Sequence, residues 1–151
     1  MRVQGTMSAI VVKVYQDETV AGAGSTMARE GVGCLIVTDE KGVTGIVTDC
    51  DIAVRCVAEH QDPAAIPIGE IVSSPVHSAK PTDDITDAAR LMAHAKIKRL
   101  LIMEDEEVEG LISYADVARA IEQPMYDLLA VEDMDGRHDY TPMMTLSKRV
   151  I

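Results

Sequence analysis

The sequence predicts an α/β fold of the α+β type, built from two tandem β-α-β-β-α repeats that pack about a pseudo-twofold axis. A constant offset of 65 positions, the distance from Gly45 to Gly110, aligns most of the chain with itself without gaps. Each copy also shows the same order of apolar patterns. A unit of about 60 residues buries too little apolar surface to be stable alone, so the two copies should share a core.

The duplication is clearest in one motif. "GIVTDCD", residues 45–51, returns as "GLISYAD", residues 110–116. The same offset pairs identical residues on both sides of the motif: Ser8 with Ser73, Val11 with Val76, Ala23 with Ala88, Met27 with Met92, Leu35 with Leu100, Val43 with Val108 and Ala53 with Ala118. The repeat therefore extends from about residue 3 to residue 122.

Each copy yields the same string of elements. For the first copy the pattern predicts strand "VVKV", a helix over about 19–29, strands "CLIVT" and "VTGIVT", and a helix over 50–59. For the second it predicts a short extended piece at 75–78, a helix capped by Thr82 or Asp83, strands "RLLIM" and "VEGLI" around the acidic turn 104–107, and a helix over about 114–121. Pro124 ends that last helix.

These elements divide the chain into four parts. We predict repeat 1 over 3–62, a connector over 63–69, repeat 2 over 70–122 and a C-terminal extension over 123–151. The extension has no counterpart in the repeat. Its sequence could give a short amphipathic helix from Met125 to about Val131 and then a strand.

Composition restricts the class of partner. Fourteen Lys and Arg against 25 Asp and Glu give a net charge of −11, which repels polyanions, so nucleic acid is not an expected partner. No apolar run reaches the length of a membrane span, and the N-terminus lacks the apolar region of a signal peptide. We expect a cytoplasmic protein. Cys34, Cys50 and Cys56 lack paired metal-ligand spacing, so we expect buried thiols and no metal site.

The two motifs have a structural and a functional interpretation. In a capping box, Thr48 or Ser113 accepts a backbone N–H three residues on, and Asp51 or Asp116 reaches back to the cap residue. Capping alone would explain the spacing. The same groups at the mouth of a cleft could also bind a phosphate at the helix start and a ribose at the carboxylate.

The tandem order and the pattern Gly-aliphatic-aliphatic-Thr/Ser-x-x-Asp resemble a pair of cystathionine-β-synthase-type (CBS) domains over about residues 3–122. "GIVTDCDIAVRCVA" in the first copy and "AKIKRLLIMEDEEVEGLIS" in the second are similar to the family's usual wording. The resemblance implies an adenosine-containing ligand, AMP, ADP, ATP or S-adenosylmethionine, in clefts between the repeats. No cofactor is implied beyond that adenine nucleotide, and the ligand would regulate an associated protein.

The resemblance also implies roles for individual residues. Asp51 and Asp116 would hold ribose hydroxyls, and Thr48 and Ser113 would face the phosphate or the ribose. The base would be lined by the short first strands, namely by Val12, Lys13, Val76 and His77.

The chain departs from the family pattern where many members carry Arg directly before the Asp, because it has Cys50 and Ala115 there. The candidates to meet the phosphate charge are then Lys96, Lys98 and Arg99 in the second copy. Lys13 and Arg55 are the substitutes in the first. We therefore expect the second cleft to bind more tightly.

The function predicted is a non-enzymatic regulatory or sensor module. One alternative is a ligand-free scaffold of the same fold, and another is a sensor of S-adenosylmethionine or a nicotinamide dinucleotide. A thiol hydrolase using Cys34 or Cys50 would need a base and an orienting group that the sequence does not supply, so no catalytic residue is assigned.

The helices over 50–59 and 114–121 carry apolar residues on more than one face, which predicts a homodimer. The regulated protein is unknown.

Overall fold

The computed structural model describes residues 1–122, and the elements predicted within 123–151 lie outside the described residues. The first repeat contains β1 (Lys13–Tyr15), α1 (Val20–Glu30), β2 (Cys34–Asp39), β3 (Gly42–Thr48) and α2 (Asp49–Ile52). The second contains β4 (Ser78–Ala79), α3 (Ile85–Ala95), β5 (Arg99–Glu104), β6 (Glu107–Ser113) and α4 over 114–122. The predicted order β-α-β-β-α is present twice, so the fold class is confirmed. None of the helices in residues 1–122 is long and apolar enough to cross a membrane.

Two three-stranded sheets have the same topology. In the first, β1 lies parallel to β2 and β2 antiparallel to β3, and in the second β4, β5 and β6 repeat this arrangement. Both hairpins shift register at equivalent points, after Val37 and after Ile102. The offset of 65 found in the sequence therefore holds down to the strand register.

The helices α1 and α3 begin at equivalent caps. The Thr19 hydroxyl accepts the N–H of Gly22 and the Asp84 carboxylate accepts that of Thr86. The prediction that Thr82 or Asp83 caps α3 is wrong, because the Asp83 carboxylate instead accepts the Lys80 N–H at 2.8 Å.

The first strand of each repeat starts later than predicted. The pattern placed it at residues 11–14 and 75–78, whereas β1 begins at Lys13 and β4 at Ser78. The residues just before them cross to the other repeat. Ser8 exchanges both backbone hydrogen bonds with Leu111 on β6, at 2.8 and 2.9 Å, and Ser73 exchanges both with Ile46 on β3, at 2.8 and 3.2 Å. We call residues 6–8 and 71–73 the crossing segments.

The two helical cores are closed by residues from the neighbouring repeat. Val3 belongs to the core of the second repeat, where it packs with Ile85, Leu100 and Ile112. Ile68, its counterpart, belongs to the core of the first. Ile66 and Ile68 lie in the segment 63–69 that we predicted as a connector, so this segment supplies part of the first core. The domain boundaries themselves stay predictions.

The faces of the two sheets that point away from the helices are also covered. Leu35 and Val37 belong to the first helical core, so Ile36 between them points to the opposite face. Ile36 is only 2% exposed, and its counterpart Leu101 is fully buried. The sheets therefore pack face to face, as the sequence predicted for two repeats about a pseudo-twofold axis.

Candidate functional site

The first motif forms a complete capping box at the junction of β3 and α2. The backbone N–H and the hydroxyl of Thr48 donate to Asp51 Oδ2 at 2.8 and 3.0 Å. The Asp51 N–H donates to Thr48 Oγ1 at 3.2 Å. The predicted capping box is therefore present, and Thr48 fixes the position of the Asp51 carboxylate.

The second motif repeats this geometry at the junction of β6 and α4. The backbone N–H and the hydroxyl of Ser113 donate to Asp116 Oδ2 at 2.9 and 2.6 Å, and the Asp116 N–H donates to Ser113 Oγ at 3.3 Å. The Arg119 guanidinium contacts the other carboxylate oxygen, Oδ1. Arg119 is 72% exposed, so its contact with Asp116 is open to exchange with solvent or a ligand.

Asp116 is a permanently charged acceptor at neutral pH. Partial burial raises the pKa of its carboxyl group, but the hydrogen bonds from Ser113 and the contact with Arg119 outweigh burial, so the pKa lies below its ordinary value. A deprotonated carboxylate can accept hydrogen bonds from hydroxyl groups of a ligand.

Asp51 Oδ1 has two partners, one of them from the second repeat, that have no counterpart at Asp116. The Ser73 hydroxyl, on the crossing segment, donates to Asp51 Oδ1 at 3.4 Å. Arg55 Nη2 lies 3.5 Å from the same oxygen. Arg55 Nη1 also donates to the carbonyl oxygens of Ile71 and Val72, at 2.9 and 3.1 Å. The structure thus places Arg55 in the first centre, with Nη1 bound to the crossing segment and Nη2 beside Asp51.

Arg99, predicted for the second cleft, lies between the two motifs. It is the register partner of Ser113, so the two side chains share one face of the second sheet. A Cβ atom built on Gly33 of the first repeat would lie 3.7 Å from Arg99 Nη2. The guanidinium therefore reaches across to the first repeat, and both centres have access to its charge.

The Cys34 thiol, the counterpart of Arg99, is buried at this junction. Burial raises the pKa of the thiol to about 11, while the charge of Arg99 acts in the opposite direction. The carboxylates of Asp51 and Asp49 add to the rise. A thiol of this kind is neutral and unreactive at physiological pH.

Lys98 lies on the helical side of the second repeat. With Tyr114 it lines a groove of about 380 Å³ between α3 and α4, whose other walls are Ala89, Met92, Ala93, Ile97, Val117 and Ala118. The backbone carbonyl of Lys98 accepts the Tyr114 N–H at 3.0 Å, which ties the start of β5 to the start of α4.

The residues predicted to line the base lie just before or at the start of the first strand of each sheet, β1 and β4. The carbonyl of Val12 accepts the Ile36 N–H at 2.9 Å, and the carbonyl of His77 accepts the Leu101 N–H at 3.2 Å. Val12, Val76 and His77 are half-buried and Lys13 is exposed. Their role toward a ligand stays a prediction.

The cysteines are not all buried. Cys34 and Cys56 are, but Cys50 is exposed, so the prediction of three buried thiols is wrong at that position. Cys50 lies in the first turn of α2. Within residues 1–122, no group of three or more His, Cys, Asp or Glu side chains could hold a metal ion.

Sequence reasoning missed the role of Ser73 and of the motif glycines. A Cβ on Gly45 would lie 2.5 Å from the Ser73 carbonyl oxygen, and one on Gly110 would lie 2.7 Å from that of Ser8. The pairing of Ser8 with Ser73 and of Gly45 with Gly110 was visible in the sequence, but nothing in it indicated that the segments exchange between repeats.

Comparison with known proteins defines the class of protein. The family model of the CBS domain matches residues 3–57 and 68–123. The chain therefore belongs to the CBS-domain family and contains two such domains in tandem.

Individual relatives and a solved structure are similar to most of this chain. It is 33% identical over 116 residues to the CBS domain-containing protein YhcV of Bacillus subtilis. The match covers 77% of this chain and 82% of that protein. It is 26% identical over 114 residues to hypoxic response protein 1 of Mycobacterium tuberculosis, covering 75% and 80% of the two chains. The structure of a hexameric CBS-CP12 protein from bloom-forming cyanobacteria matches with a TM-score of 0.72 and 28% identity, over 78% of this chain and 69% of that one.

Proposed function

We propose that this CBS-domain pair is a non-enzymatic sensor of an adenine nucleotide, AMP, ADP or ATP, whose occupancy changes the affinity of the module for a regulated protein. The observation that carries the proposal is the Asp116 centre. Its carboxylate is anchored through Oδ2 by Ser113, and its Oδ1 contacts only the exposed Arg119 among the described residues.

The chemistry of this centre suits a ribose. The two hydroxyls of a ribose donate hydrogen bonds, and the depressed pKa of Asp116 keeps its carboxylate ionised and therefore able to accept them. Because Ser113 already fixes the rotamer of Asp116, ligand binding would cost little side-chain entropy. Arg119 would move aside into solvent or turn toward the ligand.

The nucleotide phosphate requires a nearby positive charge. Arg99 supports this role because it lies on the same sheet face as Ser113 and because guanidinium groups bind phosphate in a bidentate manner. The helix dipole at the start of α4 would add to the attraction, while the N–H groups of Tyr114 and Asp116 already donate to Lys98 and Ser113. Lys98 would contribute only if its side chain left the groove between α3 and α4.

We further propose that the sensor is a homodimer formed through its helices. Val54 and Val57 are 57% and 63% exposed, and Tyr114 and Ile121 on α4 are 59% and 44% exposed. A second copy would cover this face and the apolar groove beside it. The hexameric state of the cyanobacterial relative is a property of that protein, and it is compatible with association of CBS-domain chains. The cytoplasmic location stays a prediction.

The experimental test also distinguishes two alternative functions. A scaffold with empty clefts would bind its partner protein without any ligand, and the absence of Arg beside both Asp residues favours it. A sensor of S-adenosylmethionine or a nicotinamide dinucleotide would use the same ribose carboxylate.

Thermal unfolding in the presence of AMP, ADP, ATP, S-adenosylmethionine and NAD tests the proposal. A ligand at 100 times its Kd stabilises the native state by about 2.7 kcal/mol, which raises the Tm by about 5 to 10 °C for a chain of this size. We expect such a shift with at least one adenine nucleotide and its loss in the double variant Asp51→Asn/Asp116→Asn. No shift with any of the five compounds would contradict the proposal and favour the scaffold.

A further inference from the structure

Asp51 and Asp116 occupy equivalent positions in the two motifs, but the contacts of their Oδ1 atoms differ. In the first centre, Asp51 Oδ1 has two partners, the Ser73 hydroxyl at 3.4 Å and Arg55 Nη2 at 3.5 Å. In the second, Asp116 Oδ1 contacts Arg119, which is 72% exposed. The Asp51 side chain is also the less exposed, at 16% against 24%.

Arg55 is itself anchored on the side away from Asp51. Its Nη1 donates to the carbonyl oxygens of Ile71 and Val72, at 2.9 and 3.1 Å, and both lie in the crossing segment that enters the second repeat. Arg55 therefore joins the carboxylate of the first repeat to the backbone of the second. Charge-assisted hydrogen bonds of this kind are stronger than neutral ones.

The second repeat has no arginine at this position. The counterpart of Arg55 is Ala120, which packs against the second helical core. The helical backbone differs as well, because Arg55 lies in a π-helical turn, Ala53–Val57, whereas the described helix over 114–122 is α-helical throughout. A π-helical turn shifts the direction of the side chains that follow it, and such turns are frequent at functional sites.

We propose that Arg55 and Ser73 form a clasp that closes the first cleft and so determines that the adenosine ligand binds at Asp116, with one ligand per chain. The inference rests on the proposed function and goes further by assigning the site. A ribose at Asp51 would have to displace both partners of Oδ1, since Oδ2 already accepts from the Thr48 backbone and hydroxyl. At Asp116 it would displace one exposed guanidinium.

Displacing the clasp also removes one of the contacts that hold the crossing segment. The carbonyls of Ile71 and Val72 would lose their charged donor, and an unpaired polar group carries a desolvation penalty. Because Arg55 is 45% exposed, water offsets part of that loss. We expect the first cleft to bind AMP about tenfold or more weakly than the second.

Calorimetric titration with AMP tests the assignment. The wild type should bind one AMP per chain, Asp116→Asn should abolish binding and Asp51→Asn should leave the stoichiometry at one. Arg55→Ala gives the first repeat the residue of the second, and we expect it to add a second site. Ala120→Arg is the reciprocal change and should weaken the Asp116 site. Arg90→Ala, which removes another exposed arginine from the pair Arg90–Asp87, is the control.

The outcomes separate this inference from the proposed function. Two equal sites in the wild type, or a single unchanged site in Arg55→Ala, would overturn the clasp and leave the sensor function intact. If neither the wild type nor Arg55→Ala binds AMP, ADP or ATP, the proposed function is overturned and the ligand assignment with it.

Thermal unfolding without ligand tests the contact between Arg55 and Asp51. We expect Arg55→Ala to lower the Tm by about 3 °C relative to Arg90→Ala, and we expect this effect not to be additive with that of Asp51→Asn. Additive effects of the two substitutions would show that Arg55 and Asp51 are independent and would overturn the clasp.

Discussion

Lys96 holds a backbone conformation that L-amino acids adopt only at a cost. It is the C-cap of α3 with φ 55°, in the left-handed region, while its counterpart Gly31 ends α1 with φ 67°. The Cβ atom of a non-glycine residue is disfavoured there by about 1 kcal/mol. The second repeat therefore carries a strain that the first avoids.

Replacement of Lys96 by glycine should stabilise the protein. We expect Lys96→Gly to raise the free energy of unfolding by about 1 kcal/mol and Gly31→Ala to lower it by a similar amount, since no atom lies within 4 Å of a Cβ built on Gly31 and only the backbone conformation matters. Urea denaturation measures both. Equal stability of Lys96→Gly and the wild type would refute the account of this cap.

Asp84 should respond to acid in a defined window. Hydrogen bonds from the Thr86 hydroxyl and backbone and from the N-terminal ammonium lower the pKa of its carboxyl group from 3.8 to about 2. A depressed folded-state pKa stabilises the native state fully above pH 3.8, and that contribution is lost as the pH falls toward 2. We expect the NMR titration of Asp84 to have its midpoint near pH 2, and the acid unfolding curve of Asp84→Asn to be flatter between these values. A midpoint near 3.8 would mean that the cap contacts are not formed.

At the scale of elements, the repeat fixes the order of strands and helices, and the sequence predicted it well. The apolar pattern located α1 and both hairpins within about one residue, because their periodicity depends on burial against one core. The capping box was also evident, since its two side chains are three residues apart. The exchange of the crossing segments was not predictable in this way. It depends on isolated backbone pairs at Ser8 and Ser73, which impose no side-chain pattern.

The glycine that opens each motif is required by the crossing segments. A Cβ on Gly45 would lie 2.4 Å from Val72 Cγ2 and 2.5 Å from the Ser73 carbonyl oxygen, and the second of these is backbone that cannot turn away. We expect Gly45→Ala to lower the free energy of unfolding by about 3 kcal/mol. Gly24→Ala in α1, with nothing within 4 Å, is the matched control and should raise it by about 1 kcal/mol. Wild-type stability of Gly45→Ala in urea would contradict the exchange.

At the scale of the whole molecule, the two repeats depend on each other for their cores. Val3 closes the second core and Ile68 the first, so neither repeat would be complete if the chain were cut between them. The two sheets then bury Ile36 and Leu101 between them. The helices are left on the outside, and their exposed apolar residues lie on the surface that we propose for the homodimer.

A charge on that surface should prevent association. Val57→Glu combined with Ile121→Glu places two carboxylates where we expect apolar contact, and the variant should be monomeric. The wild type should have twice the chain mass of 16.3 kDa. Ile10→Glu, at a residue that is 74% exposed and lies outside the helices, is the control and should remain dimeric. Light scattering at micromolar concentration decides between these states, and a monomeric wild type would rule out the dimer.

The most direct measurement of the central claim, that the Asp116 centre senses an adenine nucleotide, is an NMR titration of backbone amides with AMP. We expect the shifts to concentrate on residues 113–119, on residues 99–101 and on the segment 8–12 that leads into β1, with saturation at one AMP per chain. Shifts confined to residues 45–55 would place the ligand at Asp51 instead. A spectrum unchanged by AMP, ADP and ATP at millimolar concentration would contradict the sensor function altogether.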